Sequence, residues 1–393
     1  MTIKAILLDL DNTLIVNNIE NFIAAYLNSL NYYVRQKWSI ADVSPALFRS
    51  IKKANTSPLN QMNIDVVYEE LQKDAQLSLA QIQEDVADYY KYQYPDLKNC
   101  VQEKKEIKGL LESIHALKIP IVIATNPIFP LTAIKQRMQW GNLPEDLTYQ
   151  LITNAENMHF TKPNPAYYAE ILGKLGLEPD ETLMVGDDLE QDILPAHQIG
   201  IHTFLLSDRN CPDTIGAHGT IAHLHNLIEK GGLRNLPHRQ IKSEMIIPQL
   251  TGNLGALWGF IPKIEHHFWQ QRPNPNEWSL LQILCHLWKA EIHTHRQRII
   301  RILEEDNPFI VDQPPESVDS PDCHEDGKHV LECFTAERMK TIELLNTIPP
   351  EAWSRPARHS IFGLTNLMEM AYFTAQHDRL HLNQFCQTLG QCK

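Results

Sequence analysis

Two aspartates one residue apart, Asp9 and Asp11, stand directly behind an apolar run at residues 3–8. An aspartate at such a strand end can attack phosphorus, provided its charge is balanced and a second acid protonates the departing oxygen. Asp9 takes the first role in this reading and Asp11 the second. Three later stretches supply what else the chemistry needs. Thr125 and Asn126 offer a hydroxyl and a backbone amide for phosphate oxygens, and Lys162, in Thr161-Lys162-Pro163, offers a cation between nucleophile and phosphate. Gly186-Asp187-Asp188, with Asp192 behind it, brings hard oxygen ligands for Mg²⁺, to which Asp9 and Asp11 add their own. Each signal is ordinary when taken singly, since Asp-x-Asp sits in many solvated turns and lysines are almost always surface residues. Four in order, each at a strand end or in the loop behind one, make a site.

The elements that must position these residues are legible as an alternation. Apolar runs at 3–8, 119–124, 183–185 and 202–206 read as buried strands, and helical periodicity fills the segments between them. This is the pattern of an α/β parallel sheet with helices on both faces, whose loops converge at the carboxyl ends of the strands. Residues 16–105 are too long for a simple crossover and rich in helix formers, which predicts a helical insertion over the sheet.

In sequence these features resemble the four motifs of the haloacid dehalogenase-like (HAD) superfamily, in its phosphatase branch, over about residues 1–230. The resemblance implies a Rossmann-like core with a helical cap, an aspartyl-phosphate formed on Asp9 and acid/base work by Asp11, the residue that dehalogenases lack. It also implies a small-molecule phosphorylated substrate chosen by the cap. Where many members carry a small residue, this chain has Asp188; Asp187 is expected as the direct metal ligand and Asp192 as its support.

Gly231, Gly232 and Pro237 then interrupt the pattern, which predicts a linker at 231–239. Four long amphipathic segments follow, at 241–271, 280–305, 328–348 and 364–389, with no strand signal. They predict an all-α antiparallel four-helix bundle over 240–393. Of the chain's 18 histidines, 14 lie beyond residue 215. His377 and His381 are one helical turn apart and can reach one metal. On spacing alone such a pair is weak evidence, because about one arises by chance at this histidine content. Ser279 is the expected cap of a helix carrying His286 beside its apolar stripe, while His293 and His295, two apart, are read as facing different sides and as ordinary residues.

Trp278 to Leu287, Pro349-Pro350 with Trp353, and Gly363-Leu364-Thr365 resemble the DinB-like superfamily over about residues 240–390. The resemblance implies one divalent metal, Zn²⁺, Ni²⁺ or Fe²⁺, on His286, His377 and His381. The group includes metal-dependent thiol transferases, which brings in a low-molecular-weight thiol as a partner of the bundle. A thiol-dependent transferase or hydrolase and a non-catalytic interaction module both stay open for it.

Bulk properties narrow the classes further. The composition, 43% hydrophobic and 21% charged, is globular, and a formal charge of -13 argues against binding nucleic acid through its backbone. No apolar run approaches membrane-spanning length, nor is a secretory signal evident at Met1. Seven scattered cysteines without a Cys-x-x-Cys pair read as reduced thiols in a cytoplasmic protein. Oligomeric state is not legible.

Overall fold

Short runs of consecutive apolar residues build the first part of the chain. The computed structural model describes residues 2–38, 40–207, 216–234, 236–312, 323 and 326–391. They divide into one unit of Met1–Tyr167 with Asp180–His238, and another of Tyr168–Pro179 with Arg239–Lys393. The strands of the first unit are β1 (Ala5–Leu8), β2 (Ile15–Asn17), β3 (Val101–Glu103), β4 (Ile121–Ile123), β5 (Tyr149–Ile152), β6 (Thr182–Gly186), β7 (His202–Leu206) and β8 (Ala217–Gly219).

Six of them form a parallel sheet in the order β5-β4-β1-β6-β7-β8. Every residue of β1, β4 and β6 is buried, as expected of strands covered on both faces. Register fixes the site. Leu8 pairs with Ile123 on one side and Val185 on the other, so three carboxyl ends come level. Asp9, Thr125 and Asp187 follow those ends, where the crevice of an open α/β sheet lies.

Between β2 and β3 the chain leaves the sheet and returns, and the two crossings pair antiparallel with Ile15 opposite Glu103. Helices Ile19–Lys37, Ser44–Ala54, Asn63–Ala75 and Leu79–Tyr92 fill the interval. The first of them buries Phe22, Tyr26, Leu30 and Val34, a four-residue spacing that gives one apolar stripe. Tyr26 packs on Tyr89, Tyr90, Tyr94 and Phe129, and its hydroxyl bonds that of Tyr90 at 2.9 Å.

Four helical segments make most of the second unit. They are Ile246–Trp258; Leu280–Ala290, continuing through a π-helical turn at Glu291–His295 into Arg296–Glu304; Gly327–Asn346; and Leu367–Gln391. The first is shorter than the expected 241–271. Pro262, which has no N–H to donate, lies in a 3-10 turn at Ile261–Lys263, and a further turn at His266–Phe268 replaces the helix. Ser279 caps as expected, accepting from Gln282 N at 3.3 Å while Gln282 accepts from Ser279 N at 3.0 Å.

Two expectations are overturned here. Strands Phe309–Ile310, Pro356–His359 and Gly363–Asn366 form a small sheet where only helices were expected. Each is too short for alternation to register in the sequence, and Gly363, at φ +75°, makes the turn between the last two. Cys285 and Cys323 are joined in a disulfide, so not all thiols are reduced; Cys100, Cys333 and Cys386 remain thiols. Cys211 and Cys392 lie outside the described residues. Among the described residues no helix is long and apolar enough to cross a membrane.

Candidate functional sites

Asp9, at the end of β1, is held by the sheet itself, its N–H bonding Val185 O at 3.0 Å. The turn behind it doubles back tightly, with Leu14 N and Ile15 N both on Leu10 O and Asn12 at φ 60°. That turn presents Asp9 and Asp11 to one cavity of about 350 Å³, which Thr125, Asn126, Lys162, Asp187, Asp188 and Asp192 also line.

Lys162 is 5% exposed and donates to Asp9 Oδ1 at 2.7 Å and to Asp192 Oδ1 at 2.6 Å. Its loop is tied to the cap: Asn55 donates to Thr161 Oγ1 at 2.8 Å and accepts from Thr161 N at 3.0 Å. Asp192 arrives on a π-helical turn, Leu189–Ile193, and packs against the end of β6 so closely that a Cβ on Gly186 would meet its carboxylate at 2.1 Å. Asp188 caps that turn, accepting from Glu190 N and Gln191 N at 2.8 and 3.0 Å. Thr13 holds Asp187 Oδ1 at 3.1 Å.

Asp9, Asp187 and Asp192 offer oxygens within 4.8 Å of one another. Burial first, then Asp192, pushes Asp9 up to about 7 against the pull of Lys162. Burial and then Asp9 push Asp187 up to about 6, and burial raises Asp192 despite Lys162. Carboxylates that raise one another in this way are relieved by a divalent cation, and an all-oxygen set fits one. Asp11, expected among the same ligands, is not brought into that cluster. It accepts from Arg137 Nη1 at 2.9 and 2.7 Å and from Asn17 Nδ2 at 2.9 Å.

In the second unit three imidazoles converge. The Nε2 atoms of His286 and His377 are 3.1 Å apart, and the His381 ring centroid lies 4.5 Å from each of theirs. Ring nitrogens of the three fall within 4.8 Å of one another. Gln384 Oε1 sits 2.9 Å from His381 Nδ1 and so assigns the proton there, leaving Nε2 as the acceptor. His293 and His295 do face different sides: His293 is exposed, whereas His295 is 3% exposed with Nε2 3.3 Å from His377 Nδ1, which joins it to the cluster. The π-helical turn at Glu291–His295 rotates His295 toward the cluster, a register that α-helical spacing does not foretell. Burial holds His286 down to about 4 and His295 to about 3, and lowers His377 and His381 as well. The rings are therefore neutral near pH 7, the state that binds metal.

Behind His377, Arg338 donates to Glu291 Oε2 at 2.7 Å and to both oxygens of Asp378, with all three side chains at most 1% exposed.

Residues 3–200 match the family described as haloacid dehalogenase-like hydrolase. The chain belongs to that family. Residues 249–385 match the DinB superfamily. The HAD part resembles pyrophosphatase PpaX of Halalkalibacterium halodurans, 26% identical over 52% of this chain and 83% of that protein. PpaX of Bacillus mycoides is 24% identical, over 53% and 85%. Among solved structures, a HAD phosphatase from Thermococcus onnurineus aligns at 19% identity and TM-score 0.36, over 57% of this chain and 98% of that one. YfiT from Bacillus subtilis, with an unusual four-helix bundle topology, aligns at 16% and 0.34, over 39% and 90%.

As a HAD hydrolase of the phosphatase branch, the chain places all its motif residues around one cavity, and sequence reasoning missed three that hold them. Asn17 and Asn55 carry no signal in the sequence. Arg137 carries one: it recurs four residues after Ala133 and three after Ile134 on the buried stripe of helix Leu131–Trp140, where a charge must have a partner.

Proposed function

We propose that the first unit hydrolyses a small-molecule phosphate monoester through an aspartyl-phosphate on Asp9. The observation that carries this is the Lys162 ammonium joined to Asp9 and Asp192 at the base of a cavity lined by Thr125 and Asn126. Asp9 Oδ attacks phosphorus as the bond to the leaving oxygen breaks, and Asp11 gives that oxygen its proton. Asp11, now a carboxylate, takes a proton from water; that water attacks phosphorus, the bond to Asp9 breaks, and inorganic phosphate leaves. Lys162 keeps the nucleophile ionised and offsets charge on the phosphoryl oxygens, while Thr125 and Asn126 hold those oxygens. Asn126 Oδ1 is buried without a partner. Mg²⁺ held by Asp9, Asp187 and Asp192 supplies further charge neutralisation at the phosphoryl group.

A panel of phosphorylated metabolites assayed with added Mg²⁺ tests the reading, with pyrophosphate included because the PpaX relatives are named as pyrophosphatases. Turnover that disappears on chelation and returns with Mg²⁺ is expected. Phosphate release equal with and without the metal would contradict it.

For the second unit, the convergence of three neutral imidazoles favours a site for one Zn²⁺, Ni²⁺ or Fe²⁺ ion on His286, His377 and His381. A metal so held lowers the pKa of a bound water or thiol, which is the chemistry of a thiol-dependent transferase or hydrolase. His381→Ala is expected to lose most of the ion, since two imidazoles leave the coordination sphere largely to water. Elemental analysis of the purified full chain should give about one transition metal per chain in the native protein and well under half in the variant. Equal metal in both would remove the site and leave the bundle as an interaction module.

A further inference from the structure

Among the described residues three arginines are at most 2% exposed, and two of them are shared between acceptors. Arg338 spans Glu291 and Asp378, and Arg379 spans Glu178 and Gln249. Arg137, 1% exposed, differs. Its Nη1 donates to Asp11, while Nε and Nη2 are buried with no partner. Phe22 and Phe129 cover the guanidinium at 5.4 and 4.9 Å from their ring centroids, and the residue lines the same cavity as Asp9 and Lys162.

Two unpartnered donors in the interior are costly, and they are retained where something pairs with them part of the time. Nε and Nη2 share one edge of the guanidinium fork, with parallel N–H bonds spaced for two oxygens of one carboxylate or phosphate. Position says which part of a substrate brings those oxygens. Asp11 has to reach the leaving oxygen, and Arg137 holds Asp11, so Arg137 lies on the leaving-group side of phosphorus.

On that basis, and resting on the phosphatase reading above, we propose that Arg137 binds a second anionic group on the leaving portion of the substrate and so selects phosphate compounds whose leaving group is itself an anion.

The test uses the full chain with Mg²⁺ and two probes of equal size, 2-phosphoglycolate and its carboxamide. They are compared as substrates or, where turnover is slow, as competitive inhibitors of p-nitrophenyl phosphate hydrolysis. The native protein is expected to favour the carboxylate by about tenfold or more in kcat/KM or inhibition constant, the scale of a charge-assisted contact. Arg137→Gln is expected to bring the ratio close to one, and Arg137→Lys, which keeps the charge but not the fork, to fall between. An equal response of the native protein to both probes overturns the proposal without any variant, as does an unchanged ratio in a folded Arg137→Gln. Turnover of p-nitrophenyl phosphate by the native protein separates these outcomes from failure of the phosphatase reading, in which no phosphate compound is hydrolysed and this proposal falls too.

Discussion

Asp9→Asn is expected to lower turnover by about 10⁴-fold or more while leaving the first unit folded. The carboxamide has the shape of the carboxylate but cannot serve as the nucleophile, and no neighbour is placed to replace it: Asp192 is spoken for by Lys162, and Asp11 by Arg137 and Asn17. Stability should move the other way. Asp9 is pushed up to about 7 by burial and by Asp192, so its charge is held at a cost, and an uncharged isostere relieves that repulsion while Lys162 retains Asp192. A melting temperature equal to or a few degrees above that of the native protein, together with lost hydrolysis, is the signature of a catalytic group. Loss of activity with a melting temperature well below native would make Asp9 structural instead.

The largest effect on stability is expected at Arg338. Its guanidinium and the carboxylates of Glu291 and Asp378 are each at most 1% exposed, so their desolvation is offset mainly by one another, with Asn253 Nδ2 a further, longer donor to Asp378 at 3.4 Å. Arg338→Met keeps much of the volume and leaves two carboxylates facing each other without a cation, at a cost of about 3–5 kcal/mol. Denaturant unfolding followed by circular dichroism should register that loss in the helical second unit. Adding Glu291→Gln and Asp378→Asn to Arg338→Met removes both stranded charges and should recover part of it. A loss below about 1 kcal/mol for the single variant would mean that water reaches the triad.

The sheet was legible because its central strands are short, almost wholly apolar and followed at once by polar residues, as at Leu8-Asp9 and Gly186-Asp187. Strand β5 was not, because Tyr149–Ile152 is only part-buried and its composition does not stand out, and β8 is a three-residue edge. The motif residues were found by type and order, which the parallel register turns into proximity. Their supports were not, because Asn17, Asn55 and Arg137 act through geometry far from their places in the chain.

Helical periodicity does not foretell that His295 reaches the imidazole cluster, and it is silent on how Asp192 reaches the carboxylates. Asp192 and His295 both ride on π-helical turns, where an extra residue shifts every later side chain around the axis. The linker expected at residues 231–239 rests on its glycines and proline; the grouping of Tyr168–Pro179 with the later unit has no such signal. Gly173 and Gly252 carry it: a Cβ on Gly173 would meet that of Ala256 at 2.8 Å, and one on Gly252 would meet Ala169 at 2.5 Å. Two glycines in ordinary helical sequence give no sign of so close an approach.

The most direct measurement is to trap the phosphorylated enzyme. Native protein is mixed with substrate and Mg²⁺, quenched in acid within one turnover, digested, and the peptides are read by mass spectrometry. One phosphoryl group on Asp9 is expected, absent from Asp9→Asn and absent when metal is withheld. A phosphoryl group on any other residue would contradict the account by naming a different nucleophile, and steady turnover with no residue labelled at any quench time would contradict it because water would then be attacking the substrate directly.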